Sequence, residues 1–181
     1  MCGIVGYTGR DQAVGYLLEG LRTLEYRGYD SAGVEVLGAD GALHGVKCAG
    51  RVATLAERCE TANLVGTTGI AHTRWATHGA PTDRNSHPHR DCTGRIAIVH
   101  NGIIENFREL RGYLKRNGHE LVSETDSEVV AHLIEDAWAG PSKGNLVAAV
   151  RNAVRRLEGS WALAVVCADA PGEIVCARNG S

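Results

Sequence analysis

The 181-residue sequence has no excess of either charge, since 19 Lys and Arg residues stand against 21 Asp and Glu and give a formal net charge of −2. Without a basic excess, we expect neither nucleic acid nor an anionic membrane as a partner. Long hydrophobic runs are missing as well: the longest, Trp161 to Ala168, has eight residues, too few to span a bilayer. With 44% hydrophobic and 22% charged residues, the composition excludes a disordered or coiled-coil protein and is typical of a globular one.

Signals for secretion, for disulfides and for a metal are also missing. The apolar residues 1–7 have no basic segment before them, unlike a signal peptide, so we expect a cytoplasmic protein. The six cysteines form no C-x-x-C pair and no zinc-ligand spacing, so free thiols are expected in a reducing compartment. His87-Pro88-His89 with Cys92 could imitate a metal site, but no carboxylate or fourth ligand stands at a recognised spacing. We expect a structural role for at least one of these histidines, and neither a metal nor an organic cofactor.

Hydrophobic periodicity predicts a layered α+β domain without internal repeats. Apolar runs predict strands near residues 3–7, 32–37, 42–48, 95–100, 160–168 and 173–177, with Asn101-Gly102 ending the fourth. Helical spacing predicts five helices. The first runs from a cap at Asp11 to Leu24, the second covers residues 50–60, and the third runs from Ile103 to a C-cap at Gly118. The fourth follows a capping box formed by Thr125 and Glu128, and the fifth covers residues 145–157. Residues 66–94 have little periodicity, and a loop of that length in a compact domain is usually functional.

Cys2 would carry two reactive groups on one residue if Met1 were removed. A thiol has an ordinary pKa of about 8.5 and a free α-amine one of about 7.7–8.0, so the amine is substantially neutral near neutral pH. It can accept the thiol proton directly or through one water. A small side chain at position 2 also permits removal of Met1 by an aminopeptidase. From position alone, however, a cysteine at this place usually has no role.

Asn101 and Gly102 offer two hydrogen-bond donors at the end of a predicted strand. An Asn amide beside a Gly N–H makes a pocket for a developing oxyanion. The same dipeptide is also the strongest signal for a type I′ turn. Both interpretations remain open from the sequence.

Arg74 begins a polar loop that also contains Trp75, Thr77 and His78. A loop arginine is usually a solvated surface charge, but its bidentate fork, with further donors nearby, is suited to holding a carboxylate. Asp126 has two possible roles. It either stabilises a helix N-terminus by about 0.3–1 kcal/mol or binds a substrate ammonium group.

Six blocks of the sequence occur in the order found in a known family: Cys2-Gly-Ile-Val-Gly6, Leu24-Glu-Tyr-Arg-Gly-Tyr-Asp-Ser-Ala-Gly33, His72-Thr-Arg-Trp-Ala-Thr-His-Gly79, Asn85-Ser-His-Pro-His89, Val99-His-Asn-Gly-Ile-Ile-Glu-Asn106 and Glu124-Thr-Asp-Ser-Glu128. They resemble the glutaminase domain of the class II glutamine amidotransferases over essentially the whole chain. The second and third blocks are specific to the branch that aminates fructose 6-phosphate. The Cys-Gly-Ile start alone would fit other branches equally well.

The resemblance implies an N-terminal-nucleophile hydrolase fold, a four-layer αββα arrangement in which two mainly antiparallel sheets lie between helices. It implies hydrolysis of L-glutamine to glutamate and ammonia through a thioester. In the full family enzyme, the ammonia goes to fructose 6-phosphate to give glucosamine 6-phosphate. The roles that it implies are nucleophile for Cys2, oxyanion site for Asn101 and Gly102, α-carboxylate binding for Arg74, Thr77 and His78, α-ammonium binding for Asp126, a place on the substrate loop for Trp75, and support for Arg27 and His87.

The sequence departs from the family in its extent. The family's glutaminase domain continues beyond the segment that ends at Ser181, and the sugar-phosphate isomerase domain that accepts the ammonia is absent from these 181 residues. We therefore expect residues 1–181 to be a glutaminase domain without its C-terminal part, with unpaired strand edges. Its partner would be an isomerase domain or subunit. Two alternatives remain: a non-catalytic fragment or interaction module, and an amidotransferase subunit for a different acceptor.

Overall fold

The computed structural model describes residues 2–180, apart from the side chain of Arg27, and within them contains two four-stranded antiparallel sheets. The first sheet consists of β1 (Gly3–Thr8), β2 (Ser31–Leu37), β3 (Leu43–Ala49) and β4 (Thr68–Arg74), in the spatial order β1-β4-β2-β3. The second consists of β5 (His89–Arg90), β6 (Ile96–Ile104), β7 (Gly159–Cys167) and β8 (Val175–Asn179), in the order β5-β6-β7-β8.

Helices cover the outer face of each sheet. The first sheet packs against α1 (Ala13–Leu24) and α2 (Val52–Ala62), and the second against α3 (Phe107–Arg116), α4 (Glu128–Ala139) and α5 (Leu146–Val154). A third apolar cluster, from β4, β6 and β7 among others, lies between the sheets. These layers confirm the predicted αββα arrangement. Within residues 2–180, no helix has the length and apolar character needed to cross a membrane.

The two sheets differ in how completely their strands are covered. In β7, Leu163 and Val165 pack towards the helices, whereas Ala164 and Val166 pack towards the first sheet. Both faces are therefore covered, as the continuous apolar run predicts. In contrast, β1 lies at a sheet edge, and only Gly3 of its six residues is buried. The prediction of a buried strand at residues 3–7 is wrong in that respect.

The prediction of a structureless loop over residues 66–94 is wrong because β4 lies within it. This strand pairs with β1 on one side and β2 on the other, and all of its residues are buried. Its glycine and polar residues give it the composition of a loop. Strand preference depends strongly on context, and pairing at both edges satisfies the backbone of this segment despite that composition.

Strand β6 does not end at Asn101-Gly102, as predicted, but continues to Ile104 in register with β7. Gly102 has φ +119°, and a Cβ atom there would lie 2.0 Å from the carbonyl oxygen of Ser160. Only glycine accommodates both the conformation and the close approach of β7. Asn-Gly is therefore part of a paired strand rather than a turn, and α3 begins at Phe107 instead of Ile103.

Two predicted helix caps are also wrong. Gln12, not Asp11, directly precedes α1, and it makes no side-chain cap. The carboxylate of Glu128 accepts two backbone N–H groups of the preceding loop, at 2.7 and 2.8 Å, rather than closing a capping box with Thr125. In both places, the tertiary structure offers partners that the local sequence does not indicate.

Candidate active site

Cys2 lies directly before β1, where the pairing of Gly3 with Thr73 brings it beside the loop that leaves β4. The N–H group of Trp75 donates to the Cys2 Sγ at 3.2 Å. Burial raises the pKa of the Cys2 thiol, Asp30 raises it further, and the Trp75 N–H offsets part of this increase. The thiol is therefore protonated at neutral pH and needs a base before it can act as a nucleophile.

Asn101 reaches Cys2 from the other sheet. Its Nδ2 donates to the carbonyl oxygen of Cys2 at 3.4 Å, and its Oδ1 lies 2.8 Å from His72 Nε2. Because Cys2 O can only accept, the amide orientation is determined, and His72 must donate from Nε2. Burial lowers the pKa of His72 to about 3, so the ring is neutral and carries one N–H donor, which lies on Nε2. The structure thus brings Cys2 and Asn101 together, with Gly102 exposed beside them.

The side chain of Arg74 is buried at the end of β4 and holds the following loop. Its Nη2 donates to the carbonyl oxygens of His78 and Gly79, the latter at 2.9 Å, and its Nη1 donates to that of Ala80 at 3.4 Å. Asp30 Oδ1 lies 3.8 Å from Nη1. The guanidinium group is therefore not a solvated surface charge, because the loop folds around it.

Other residues of this loop present their side chains to solvent. Trp75 is 54% exposed, Thr77 is exposed and His78 is half-buried. The Trp75 ring lies against Gly28, where an added Cβ would be 2.7 Å from the ring. Arg27 ends the 3₁₀ turn before Gly28, but its side chain, and therefore its predicted supporting role, lies outside the described part of the structure.

Asp126 is buried just before α4 and is bonded to the end of β6. Its Oδ2 accepts the N–H group of Ile104 at 2.9 Å, and its Oδ1 lies 3.9 Å from His78 Nδ1. Asp126 directly precedes the N-cap of α4, Ser127, and its carboxylate in addition accepts a hydrogen bond from β6. It connects the second sheet with the loop that Arg74 organises.

His87 and His89 point into the protein rather than towards Cys92. His87 stacks on His72 with ring centroids 4.1 Å apart, and its Nδ1 accepts the N–H group of His100 at 3.2 Å. Burial lowers the pKa of His87 well below its ordinary value. His89 Nε2 lies 3.1 Å from the hydroxyl oxygen of Thr125. The structural role expected for at least one of these histidines is therefore observed.

The sequence analysis missed two residues of this site, His72 and Asp30. His72 orients the Asn101 amide, and Asp30 accepts the N–H group of Ala76 while lying near Arg74. Both residues stand inside the sequence blocks that carry the family resemblance, so the signal was present. Their specific partners, however, come from other strands and could not be read from spacing.

Comparison with known proteins gives three findings. The sequence profile described as glutamine amidotransferase domain matches residues 72–181. The whole chain is 50% identical to the glutamine–fructose-6-phosphate aminotransferase (isomerizing) of Clostridium tetani and 54% identical to that of Streptomyces coelicolor, and it covers 29% of each. The fold is similar to that of the glutamine phosphoribosylpyrophosphate amidotransferase from B. subtilis complexed with ADP and GMP, with a TM-score of 0.80, 26% identity, and coverage of 99% of this chain and 38% of that one.

The chain thus spans less than a third of the length of these curated relatives. The profile nevertheless covers more than half of the chain, and the sequence identity extends over all of it. The chain belongs to the glutamine amidotransferase domain family.

Proposed function

We propose that this chain hydrolyses L-glutamine to glutamate and ammonia, with Cys2 as the nucleophile. The observation that carries the proposal is the contact of the Asn101 amide with Cys2, in an orientation held by neutral His72. An amide donor held in one orientation beside the residue that carries the thiol suits attack on a carbonyl carbon, because such a donor stabilises the oxyanion that forms.

The reaction takes two steps. The Cys2 thiolate attacks the side-chain amide carbon of glutamine and forms a tetrahedral oxyanion, to which Asn101 Nδ2 and the Gly102 N–H donate. The intermediate collapses with protonation of the amide nitrogen, ammonia leaves, and a glutamyl thioester remains. Water then attacks the thioester, releasing glutamate and restoring the thiol. These steps use only groups of the chain and water.

The base in this proposal is the α-amine of Cys2, exposed by removal of Met1. Met1 lies outside the described residues, and the support comes instead from the thiol. Because burial raises the pKa of Cys2, a base is needed near neutral pH, and an α-amine with a pKa of about 7.7–8.0 can serve.

Glutamine would be recognised through both of its charged α-substituents. Arg74, with Thr77 and His78, would hold the α-carboxylate, and Asp126 would hold the α-ammonium. Their connection supports this assignment, since Arg74 binds the carbonyl of His78 and the His78 ring approaches Asp126 at 3.9 Å. Trp75, largely exposed on the same loop, would cover the substrate, with Arg27 and His87 in support.

We propose further that residues 1–181 form a glutaminase domain whose ammonia passes to fructose 6-phosphate on a sugar-phosphate isomerase domain or subunit. Support comes from the relatives, which are named as fructose-6-phosphate aminotransferases and are more than three times as long as this chain. Sequencing the gene downstream of the Ser181 codon tests the acceptor. A reading frame similar to a phosphosugar isomerase supports it, and another acceptor domain contradicts it.

Release of glutamate and ammonia from glutamine by the purified chain tests the hydrolysis itself. Cys2→Ala is expected to abolish turnover while leaving glutamine binding largely intact. Cys176→Ala is the matched control, because this exposed thiol lies on β8, and it should retain activity. Turnover that survives in Cys2→Ala would exclude Cys2 as the nucleophile, and an inactive wild-type chain would favour the non-catalytic alternative.

A further inference from the structure

Outside the proposed active site, four side chains converge on one point. They are Cys92, His119, His132 and Glu135, and their Sγ, imidazole nitrogen and carboxylate oxygen atoms all lie within 4.8 Å of one another. We propose that they form a zinc site, with Cys92 Sγ, the Nδ1 atoms of His119 and His132, and Glu135 Oε2 as the ligands.

The two sulfur–nitrogen distances match the edges of a tetrahedral zinc site, and the two nitrogen–oxygen distances are shorter than such edges by about 0.4 Å. Zinc binds sulfur at about 2.3 Å and nitrogen or oxygen at about 2.0–2.2 Å, which gives tetrahedral edges of about 3.5 Å from sulfur to nitrogen and about 3.4 Å from nitrogen to oxygen. Cys92 Sγ lies 3.6 Å from His119 Nδ1 and 3.5 Å from His132 Nδ1. Glu135 Oε2 lies 3.0 Å from each of the same two nitrogens.

The two imidazoles share their partners. Both imidazoles direct Nδ1 at the same carboxylate oxygen and at the same sulfur. In addition, His119 has a carboxylate at each of its two ring nitrogens, with Nε2 lying 2.8 Å from Asp136 Oδ1. A neutral imidazole has only one N–H donor. With a cation on Nδ1, a neutral His119 ring can donate from Nε2 to Asp136. A doubly protonated ring is the metal-free alternative, and the metal titration below distinguishes the two.

The surroundings also fit a metal rather than a simple polar cluster. A carboxylate that accepts from the remote nitrogen of a histidine is the usual partner of a metal-bound imidazole, and Asp136 has this position. The N–H group of Glu120 donates to Cys92 Sγ at 3.4 Å, so a backbone donor helps to hold the sulfur in place. One thiolate and one carboxylate provide two negative charges, which a divalent ion neutralises.

The donor set indicates the class of metal and its role. Thiolate and imidazole ligands are preferred by zinc over magnesium or calcium, and four protein ligands leave no position open for a substrate, as in structural sites. His132 is fully buried whereas Cys92 is exposed, so the ion can enter from the surface. It would join the loop after β5, the segment after α3, and α4.

This position connects the zinc site to the rest of the fold. The segment after α3 and the start of α4 enclose the loop that contains Asp126, and Glu128 of α4 binds two N–H groups of that loop. Zinc would therefore hold the α3–α4 connection in place. No metal is expected from the sequence, because the cysteines have no zinc-ligand spacing and no carboxylate or fourth ligand stands at a recognised spacing from Cys92. Glu135, the carboxylate that the fold supplies, is 43 residues from Cys92.

Titration with Co²⁺ and Zn²⁺ tests the proposal directly, without any assay of activity. The 181-residue chain is used with Cys2→Ala, so that the proposed catalytic thiol is absent. One equivalent of Co²⁺ should give the thiolate-to-cobalt charge-transfer band and the intense visible bands of four-coordinate cobalt. Zn²⁺ should displace the cobalt and raise the melting temperature relative to protein treated with a chelator.

Variants distinguish the proposed ligands from other thiols. Cys92→Ser should remove the charge-transfer band and weaken Zn²⁺ binding by at least about 100-fold, and Asp136→Asn should weaken it by about 10–100-fold. Cys176→Ser is the control, because it removes another exposed thiol, and it should change neither. Absence of the cobalt bands in the parent protein, or equally tight Zn²⁺ binding by Cys92→Ser, would overturn the proposal.

Discussion

Replacing Asn101 with alanine tests the proposed chemistry most directly, because the structure assigns this side chain two separate contacts. Its Nδ2 donates to the Cys2 carbonyl oxygen at 3.4 Å, and its Oδ1 accepts from buried His72 at 2.8 Å. Alanine removes both contacts. We therefore expect a loss of catalysis and, independently, a loss of stability.

Each loss has its own magnitude. Removing one oxyanion donor typically lowers kcat by about 10²–10³, or about 2.7–4 kcal/mol, and leaves KM nearly unchanged because the donor acts mainly in the transition state. The same change leaves the His72 Nε2–H group without a partner at a site that is fully buried. An unsatisfied buried donor costs about 1–3 kcal/mol, so the free energy of unfolding should fall by that amount.

Steady-state glutaminase kinetics and urea unfolding measure the two effects. His72→Phe is the matched variant, since it keeps a ring stacked on His87 and removes only the donor that orients Asn101. It should lower kcat less than Asn101→Ala does, and the double variant should be no slower than Asn101→Ala alone. If Asn101→Ala raises KM and leaves kcat unchanged, Asn101 is a substrate-binding residue. If the losses in kcat of the two single variants add up in the double variant, His72 does not orient Asn101.

Three further predictions concern the base, the substrate and the buried histidines. Because the thiol pKa is raised, kcat/KM should rise with pH with an apparent pKa near that of an α-amine, about 7.7–8.0, and intact mass should show that Met1 is absent; a form that retains Met1 and hydrolyses glutamine at full rate would contradict the amine as base. Asp126→Ala should lower kcat/KM for glutamine sharply. A substrate that lacks the α-ammonium group should be poor for the wild type, but replacing glutamine with it should cost Asp126→Ala little further activity. If the variant discriminates against that substrate as strongly as the wild type does, Asp126 has only a structural role. The pKa of His72 is lowered to about 3 and that of His87 lies well below its ordinary value. On unfolding, His72 therefore takes up a proton between about pH 3 and 6.5, and His87 takes up a proton below about pH 6.5. The free energy of unfolding should fall on acidification below about pH 6.5, by up to about 1.4 kcal/mol per pH unit for each histidine, and His72→Phe should show a shallower slope in urea unfolding at different pH values.

Much of the fold could be predicted from periodicity, because apolar side chains report which face of an element is buried. The spacing in α1 and the continuous apolar run in β7 correspond to elements that the structure contains. The predictions of secondary structure that are wrong concern strands formed by polar residues or glycine. The composition of residues 68–74 is that of a loop and does not predict β4, and the Asn101-Gly102 pair, which can signal a turn, makes the predicted strand end before β6 does. In both strands, pairing with neighbours decides the conformation, and those neighbours are distant in the sequence.

The sequence by itself determined the family and the set of candidate residues, since the blocks around Cys2, Arg74 and Asn101 are local and ordered along the chain. Only the tertiary structure decided what each polar group contacts. It oriented Asn101 through His72, and it brought Cys92 to Glu135 across 43 residues of intervening chain. The physical reason is that a buried polar atom must find its partner in three dimensions, and sequence spacing records that partner only when it lies on the same element.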